Sequence, residues 1–156
     1  MTEARCWLWD GCGPAWQPLP ALPTGLSGGA SARWVRAGTE ELWAVGGGNG
    51  SAAEQIEVLS REENGNWSWR AGPSLNYPRF GHCLGWVDPE TLLVLGGYSD
   101  SVVQAAELVN LETELVNDWE GPAPPAPRWA SVCLPAPDGR LLGERWPHCT
   151  IGIGPF

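Results

Sequence analysis

The residues that could carry chemistry are few and stand far apart in this chain. The two histidines, His82 and His148, share no metal-ligand spacing with each other or with paired carboxylates. No Ser/His/Asp motif occurs, and the glycine-rich residues 46–50 are not followed by a helical pattern whose N-terminus could hold a phosphate. We therefore predict that the chain is not an enzyme and that it has no catalytic, metal-binding or cofactor-binding residues.

The five cysteines leave at least one unpaired in any intramolecular disulfide scheme. Cys83 and Cys133 occupy equivalent positions 50 residues apart, so we predict that both are small apolar fillers at the same place in neighbouring units. Glycosylation sequons begin at Asn49 and Asn66 and would matter only in a secreted chain. The pattern leans towards a reduced, cytoplasmic setting.

Charge and hydropathy exclude two classes of partner. The net charge is −9, and the nine cations are all arginines that form no basic stripe, so nucleic-acid binding is not expected. No apolar run approaches the roughly 20 residues of a membrane span. The N-terminus also lacks the basic and apolar segments of a secretion signal.

The elements that must position any site are repeated. Apolar runs end in diglycines at residues 46–47 and 96–97, an offset of 50 residues. The same offset relates Glu57 to Glu107 and Trp69 to Trp119. Self-similarity at about this period indicates a repeat architecture, and 11 Trp, 21 Gly and 15 Pro favour turn-rich β structure. The predicted structural repeat residues are Gly46, Gly47, Gly96, Gly97, Trp69, Trp119, Glu57 and Glu107.

The repeat divides the chain into five segments. Residues 1–32 are predicted to hold the third and fourth strands of a partial unit and a loop. Residues 33–78 and 79–127 each hold four strands, and residues 128–142 begin a further unit. Each diglycine is expected to end a second strand, because its backbone takes conformations that a Cβ would forbid. Residues 143–156 show no expected strand and stay unassigned.

The stretch PSLNYPRFGHCLGWVDPETLLVLGG, with Trp69 before it and AAELVNLE after it, resembles the kelch repeat family. The resemblance covers roughly residues 7–142. It implies an all-β fold, a partial kelch-type β-propeller with about three four-stranded antiparallel blades, two complete and two half. Propellers close with 4–8 blades, so the chain is expected to be a fragment of a larger propeller. The alternative is a homodimer that closes a six-blade ring.

The resemblance also implies a function, a protein–protein interaction module of the type found in ubiquitin-ligase substrate adaptors. Its predicted partner contacts are arginines at first-strand starts and residues of the loops after the diglycines: Arg33, Arg79, Arg128, Asn49, Tyr98 and Asp100. One alternative is an extracellular kelch protein with disulfides and glycosylation. The other is a remnant of a propeller oxidase, whose copper site would need a Tyr/Cys/His constellation that Tyr77 and Tyr98 do not supply here.

Overall fold

The computed structural model describes residues 4–9 and 14–121, together with three later strands. Within these residues the chain is all-β and contains no helix. The strands are β1 (Cys6–Leu8), β2 (Gln17–Leu19), β3 (Ala30–Arg36), β4 (Thr39–Gly48), β5 (Ala52–Arg61), β6 (Trp67–Ser74), β7 (Cys83–Asp88), β8 (Thr91–Leu95), β9 (Glu107–Asn110), β10 (Leu115–Asp118), β11 (Ser131–Pro135), β12 (Leu141–Arg145) and β13 (Thr150–Ile153). No helix of the described residues is long and apolar enough to cross a membrane.

The strands form antiparallel sheets in chain order. Strands β3 to β6 make a four-stranded sheet, called sheet I, and strands β7 to β10 make a second one, called sheet II. Strands β1 and β2 pair with each other, and β11, β12 and β13 form a three-stranded sheet. The predictions of an all-β fold and of antiparallel four-stranded sheets are confirmed.

The second strand of sheet II is the most deeply buried strand of the two sheets. All five residues of β8 are buried, as a continuous apolar run predicts for a strand that is covered on both faces. In β4, Trp43 and Val45 are both 0% exposed. Their partners in β5 are Val58 and Ile56, so these four side chains share one face of sheet I.

Two apolar clusters hold the sheets together. The first joins sheet I to sheet II through the fully buried side chains Trp43, Val45, Ile56, Val58, Leu92, Val94, Val109 and Leu111. The second lies on the opposite face of sheet II and contains Cys83, Leu93, Leu95 and Ala106. Strand β7 at the edge of sheet II also contacts β11. The core is therefore a stack in which sheet II has apolar packing on both faces.

The diglycines take backbone conformations that favour glycine. The φ angles are +55° and +109° at Gly46 and Gly47, and +66° and +98° at Gly96 and Gly97. Strand β8 ends before its diglycine, as predicted. Strand β4 instead continues to Gly48, with a register shift between Val45 and Gly47. The prediction that the first diglycine ends its strand is wrong, because a bulge absorbs the unusual backbone and pairing resumes beyond it.

Gly46 offers a direct test of this packing. A Cβ at Gly46 would lie 2.8 Å from the Arg79 carbonyl oxygen and 2.9 Å from Cε1 of His82. Gly38 has φ +84°, yet a Cβ there would meet nothing within 4 Å. We expect Gly46→Ala to lower the free energy of unfolding by about 1–3 kcal/mol more than Gly38→Ala, since only the first forces backbone apart. Urea unfolding of both variants measures the difference, and equal losses would contradict it.

The structure also bears on the predictions for the C-terminal segment, for Cys83 and for the segment boundaries. The segment after residue 142, for which no strand was expected, contains β13 paired with β12. Its residues TIGI lack the acidic, alternating pattern of the earlier third strands, so the pattern did not reveal it. Cys83 is buried in the second apolar cluster, as expected of an apolar filler, and it is also disulfide-bonded, which was not predicted. The remaining boundaries of the five segments stay predictions.

Candidate functional site at the junction of sheets I and II

Arg79 lies in the link between β6 and β7, and its guanidinium is wholly enclosed. Nη2 forms a 2.6 Å ion pair with Oε2 of Glu107, and both side chains are 0% exposed. Nη1 donates to the carbonyl oxygens of Gly96 at 2.7 Å and Ala105 at 2.9 Å. Nε donates to the Tyr77 carbonyl at 3.2 Å. The guanidinium therefore joins the end of β8 to the start of β9.

The backbone of Arg79 binds the other sheet. Its N–H donates to the Ala53 carbonyl at 3.2 Å, and its carbonyl accepts from the Gly47 N–H at 2.8 Å. The remaining oxygen of Glu107, Oε1, accepts from the Asn76 N–H at 2.6 Å. One arginine thus ties sheet I through its main chain and sheet II through its side chain.

The positive charge of Arg79 and the negative charge of Glu107 neutralise each other at this junction. Burial lowers the pKa of Arg79, and the neighbouring Glu107 carboxylate opposes that shift. Arginine remains protonated in proteins, so the junction holds a paired positive and negative charge away from water. Such a pair is costly to break, because removing either partner leaves an uncompensated buried charge.

His82 lies just before β7 and is 4% exposed. Neither of its ring nitrogens has a hydrogen-bond partner among the described residues. Burial, and then the positive charge of Arg79, lower the pKa of His82 to about 4. The nearby Val45 backbone, which does not reach hydrogen-bond geometry, opposes this shift less strongly. The imidazole is therefore neutral near neutral pH and acts as a packing group between the diglycine of sheet I and Arg79.

The residues predicted to contact a partner differ in how exposed they are. Arg79 is fully buried, so its prediction as a contact is wrong. Arg33 lies within β3 with its side chain 63% exposed and forms an ion pair with Glu40. Arg128 lies outside the described residues. Asn49 and Asp100 are exposed and Tyr98 is half-buried, with its hydroxyl donating to the Asp100 carbonyl at 3.2 Å. Contact by these three stays a prediction.

Of the predicted repeat residues, Glu57 and Glu107 lie at matching ladder positions, but Trp69 and Trp119 do not. Trp69 of β6 pairs with Leu59, whereas Trp119 lies beyond β10 and donates its backbone N–H to the Ala106 carbonyl. Glu57 pairs across the ladder with Ala44 in sheet I, and Glu107 pairs with Val94 in sheet II. Trp69 and Trp119 are both half-buried, and the Trp69 indole donates to the Pro20 carbonyl at 2.9 Å. Sequence reasoning missed Asn76, whose role uses its backbone N–H and therefore leaves no side-chain signal.

A second polar link joins the outer parts of the two sheets. Arg70 of β6 forms ion pairs with Glu41 at 3.3 Å and with Glu114, in the turn before β10, at 2.7 Å. Its guanidinium lies 5.7 Å from the centre of the Trp43 ring. Arg70, Glu41 and Glu114 line a 310 Å³ cleft together with Trp34. The arginine side chain is 38% exposed, so this link contributes little beside the Arg79 junction.

A metal centre needs several His, Cys, Asp or Glu side chains placed close together. The described residues contain no group of three or more such side chains placed to hold a metal ion. The positive charge of Arg79 acts on His82, and a neighbouring positive charge opposes binding of a cation. This junction therefore fits a structural role and does not fit a copper ligand set.

Comparisons with known proteins concern the fold. No family model matches the chain, and no curated protein matches it. Solved structures do match, across 129 chains. One is a novel fungal alcohol oxidase with catalytic diversity among the AA5 family, in complex with copper. It superposes with a TM-score of 0.69 at 17% identity and covers 83% of this chain. The chain spans 29% of that structure's length.

This similarity changes the functional prediction. The chain was predicted to be a protein–protein interaction module of the kelch adaptor type, and the matching structure is instead a copper oxidase. That prediction is therefore wrong, and the alternative of a remnant of a propeller oxidase agrees better with the comparison. At 17% identity the likeness itself is one of fold.

Proposed function

We propose that this chain is a segment of an oxidase-type β-propeller, in which sheets I and II are neighbouring blades that support the loops of one rim. The proposal includes the kelch-like repeat as its sequence signature. It draws on the fold similarity to the fungal alcohol oxidase. The proposed role of the described residues is to hold the blades in place.

The observation that carries the proposal is the way the sheets stack. Trp43 and Val45 of sheet I lie in the first apolar cluster, which joins the two sheets. The 50-residue repeat relates them to Leu93 and Leu95. Those two residues lie in the second cluster, on the far side of sheet II. The front of sheet I therefore packs against the back of sheet II. Head-to-tail contacts of this kind generate rings when the rotation closes.

A two-layer sandwich would have a different contact. Its two sheets face each other through one pair of inner faces, and their outer faces are solvated. Sheet II instead buries residues on both faces, with Leu92 and Val94 on one and Leu93 and Leu95 on the other. This pattern supports a blade between two neighbours.

An experimental structure of the chain tests the architecture. A ring of 4–8 blades requires a rotation of about 45–90° between neighbouring blades around one axis. We expect the transformation that carries β4 onto β8 to be such a rotation, with Gly46 and Gly96 at the same radius. A rotation close to 180°, which would bring equivalent faces together, would contradict the proposal.

Copper binding tests the scaffold role. In the presence of one equivalent of Cu²⁺, we expect the same electron paramagnetic resonance spectrum for the chain and for His82→Gln. We also expect no hydrogen peroxide from primary alcohols above a blank of free copper, because the described residues do not form a copper ligand set. A stoichiometric copper signal that is lost in His82→Gln would place the chemistry in this segment and overturn the assignment.

A further inference from the structure

Sheets I and II each carry a buried glutamate at the same ladder position, but only one of the two is paired. Glu107 is 0% exposed and binds Arg79. Glu57 is 8% exposed, and among the described residues it has no hydrogen bond or ion pair. It lies on the face of sheet I that points away from sheet II, since its ladder neighbour Ala44 alternates with Trp43 and Val45.

The links that precede the two sheets correspond residue by residue at an offset of 53. The Leu22 N–H donates to the Ala4 carbonyl at 2.9 Å, as the Leu75 N–H does to the Glu54 carbonyl at 2.9 Å. Ser27 bridges Gly48 as Phe80 bridges Tyr98. Gly28 and Gly81 have φ angles of +65° and +62°. The position of Arg79 is therefore taken by Leu26, and that of Asn76 by Pro23.

Both groups that bind Glu107 are thus missing beside Glu57. Leu26 carries no charge, and Pro23 has no backbone N–H to donate. Burial raises the pKa of Glu57, and no neighbouring cation counters the effect. The Glu57 carboxylate has therefore lost part of its hydration without gaining a partner, and pairing with a cation would stabilise it.

The repeat also identifies the backbone carbonyls that would correspond to those bound by Arg79. Arg79 donates to the carbonyls of Gly96 and Ala105, whose repeat equivalents are Gly46 and Gln55. A leucine side chain also ends before the point that an arginine guanidinium reaches. Ser27, Gly28 and Gly29 of the adjoining link are exposed.

We propose that Glu57 and the backbone around it form a binding site for a guanidinium group, the planar cation that Arg79 supplies at the other junction. A guanidinium suits such a site because it donates in a fixed fork to a carboxylate and to carbonyl oxygens. The proposal depends on the correspondence between the two links and not on the oxidase-type assignment. Failure of one therefore leaves the other standing.

Methylguanidinium is the probe for this site. Its effect on the melting temperature of the full chain is measured at neutral pH, with the ionic strength held constant by sodium chloride. We expect a saturable rise of about 3–6 °C when the probe exceeds its dissociation constant tenfold. Urea has the same planar shape without charge, and methylammonium has the charge without the fork; we expect neither to give a saturable rise.

Three variants locate the effect. Glu57→Gln removes the carboxylate, and we expect its melting temperature not to respond to methylguanidinium. Leu26→Arg supplies the guanidinium covalently, so it should melt higher than the size-matched control Leu26→Met and should not respond to the probe. Leu26→Met should respond as the parent chain does. A saturable rise that survives in Glu57→Gln, or no saturable rise in the parent chain, would overturn the proposal.

Discussion

Replacing Arg79 with methionine is expected to lower the free energy of unfolding by about 3–5 kcal/mol. The methionine keeps much of the side-chain length but leaves the Glu107 carboxylate buried and without its cation. It also leaves the carbonyls of Gly96 and Ala105 without the donor that the guanidinium gives them. Equilibrium unfolding in urea, with tryptophan fluorescence as the signal, measures the change.

Two variants control for other effects of the substitution. Arg33→Met removes an exposed ion pair with Glu40 and should change stability by less than about 1 kcal/mol. The double variant Arg79→Met/Glu107→Leu removes both charges, so it should be more stable than Arg79→Met alone. If Arg79→Met and Arg33→Met lowered the free energy of unfolding by the same small amount, the conclusion that Arg79 holds the junction together would be contradicted.

Acid is expected to destabilise the fold through His82. Its pKa is lowered to about 4 in the folded chain, against about 6.5 when unfolded. Between these two pH values the unfolded chain binds more protons than the folded chain. The contribution of neutral His82 to the free energy of unfolding is therefore complete above pH 6.5 and is lost as the pH falls towards 4. The expected loss over this window is about 3 kcal/mol.

The pH dependence can be assigned by comparing the parent chain with His82→Gln. The difference in unfolding free energy between the two should shrink by about 3 kcal/mol from pH 7 to pH 4, because only the parent chain carries the titrating imidazole. The raised pKa of Glu57 acts in the opposite direction, since its protonation favours the folded chain at low pH. The contribution of Glu57 is the same in the parent chain and in His82→Gln, so it cancels when the two are compared. A constant difference across this range would contradict the role of His82.

Much of the architecture could be predicted because the repeat places like residues at like positions. The apolar run before each diglycine predicted the buried strands around Trp43 and Leu93. The alternation near Val58 predicted a third strand. Positive φ at Gly46 and Gly96 follows the same logic. These features are local, so the order of residues is enough to infer them.

The junction could not be predicted in the same way. Arg33 and Arg79 were grouped because both stand near first strands. Equivalent residues of the strands are 50 apart, however, whereas equivalent residues of the links before sheets I and II are 53 apart. This difference hides the correspondence between Leu26 and Arg79. Whether an arginine is exposed or enclosed depends on the approach of a second sheet, which no local pattern reports.

The central claim is that sheets I and II form one packed unit locked around Arg79, and native-state hydrogen exchange tests it most directly. Three of the amides at this junction are those of Gly47, Asn76 and Gly81, which donate to the Arg79 carbonyl, to Glu107 and to the Gly28 carbonyl. We expect all three to exchange as slowly as the amides of β4 and β8, and to lose that protection together in Arg79→Met. Rapid, loop-like exchange of these amides while β4 and β8 stay protected would contradict the account.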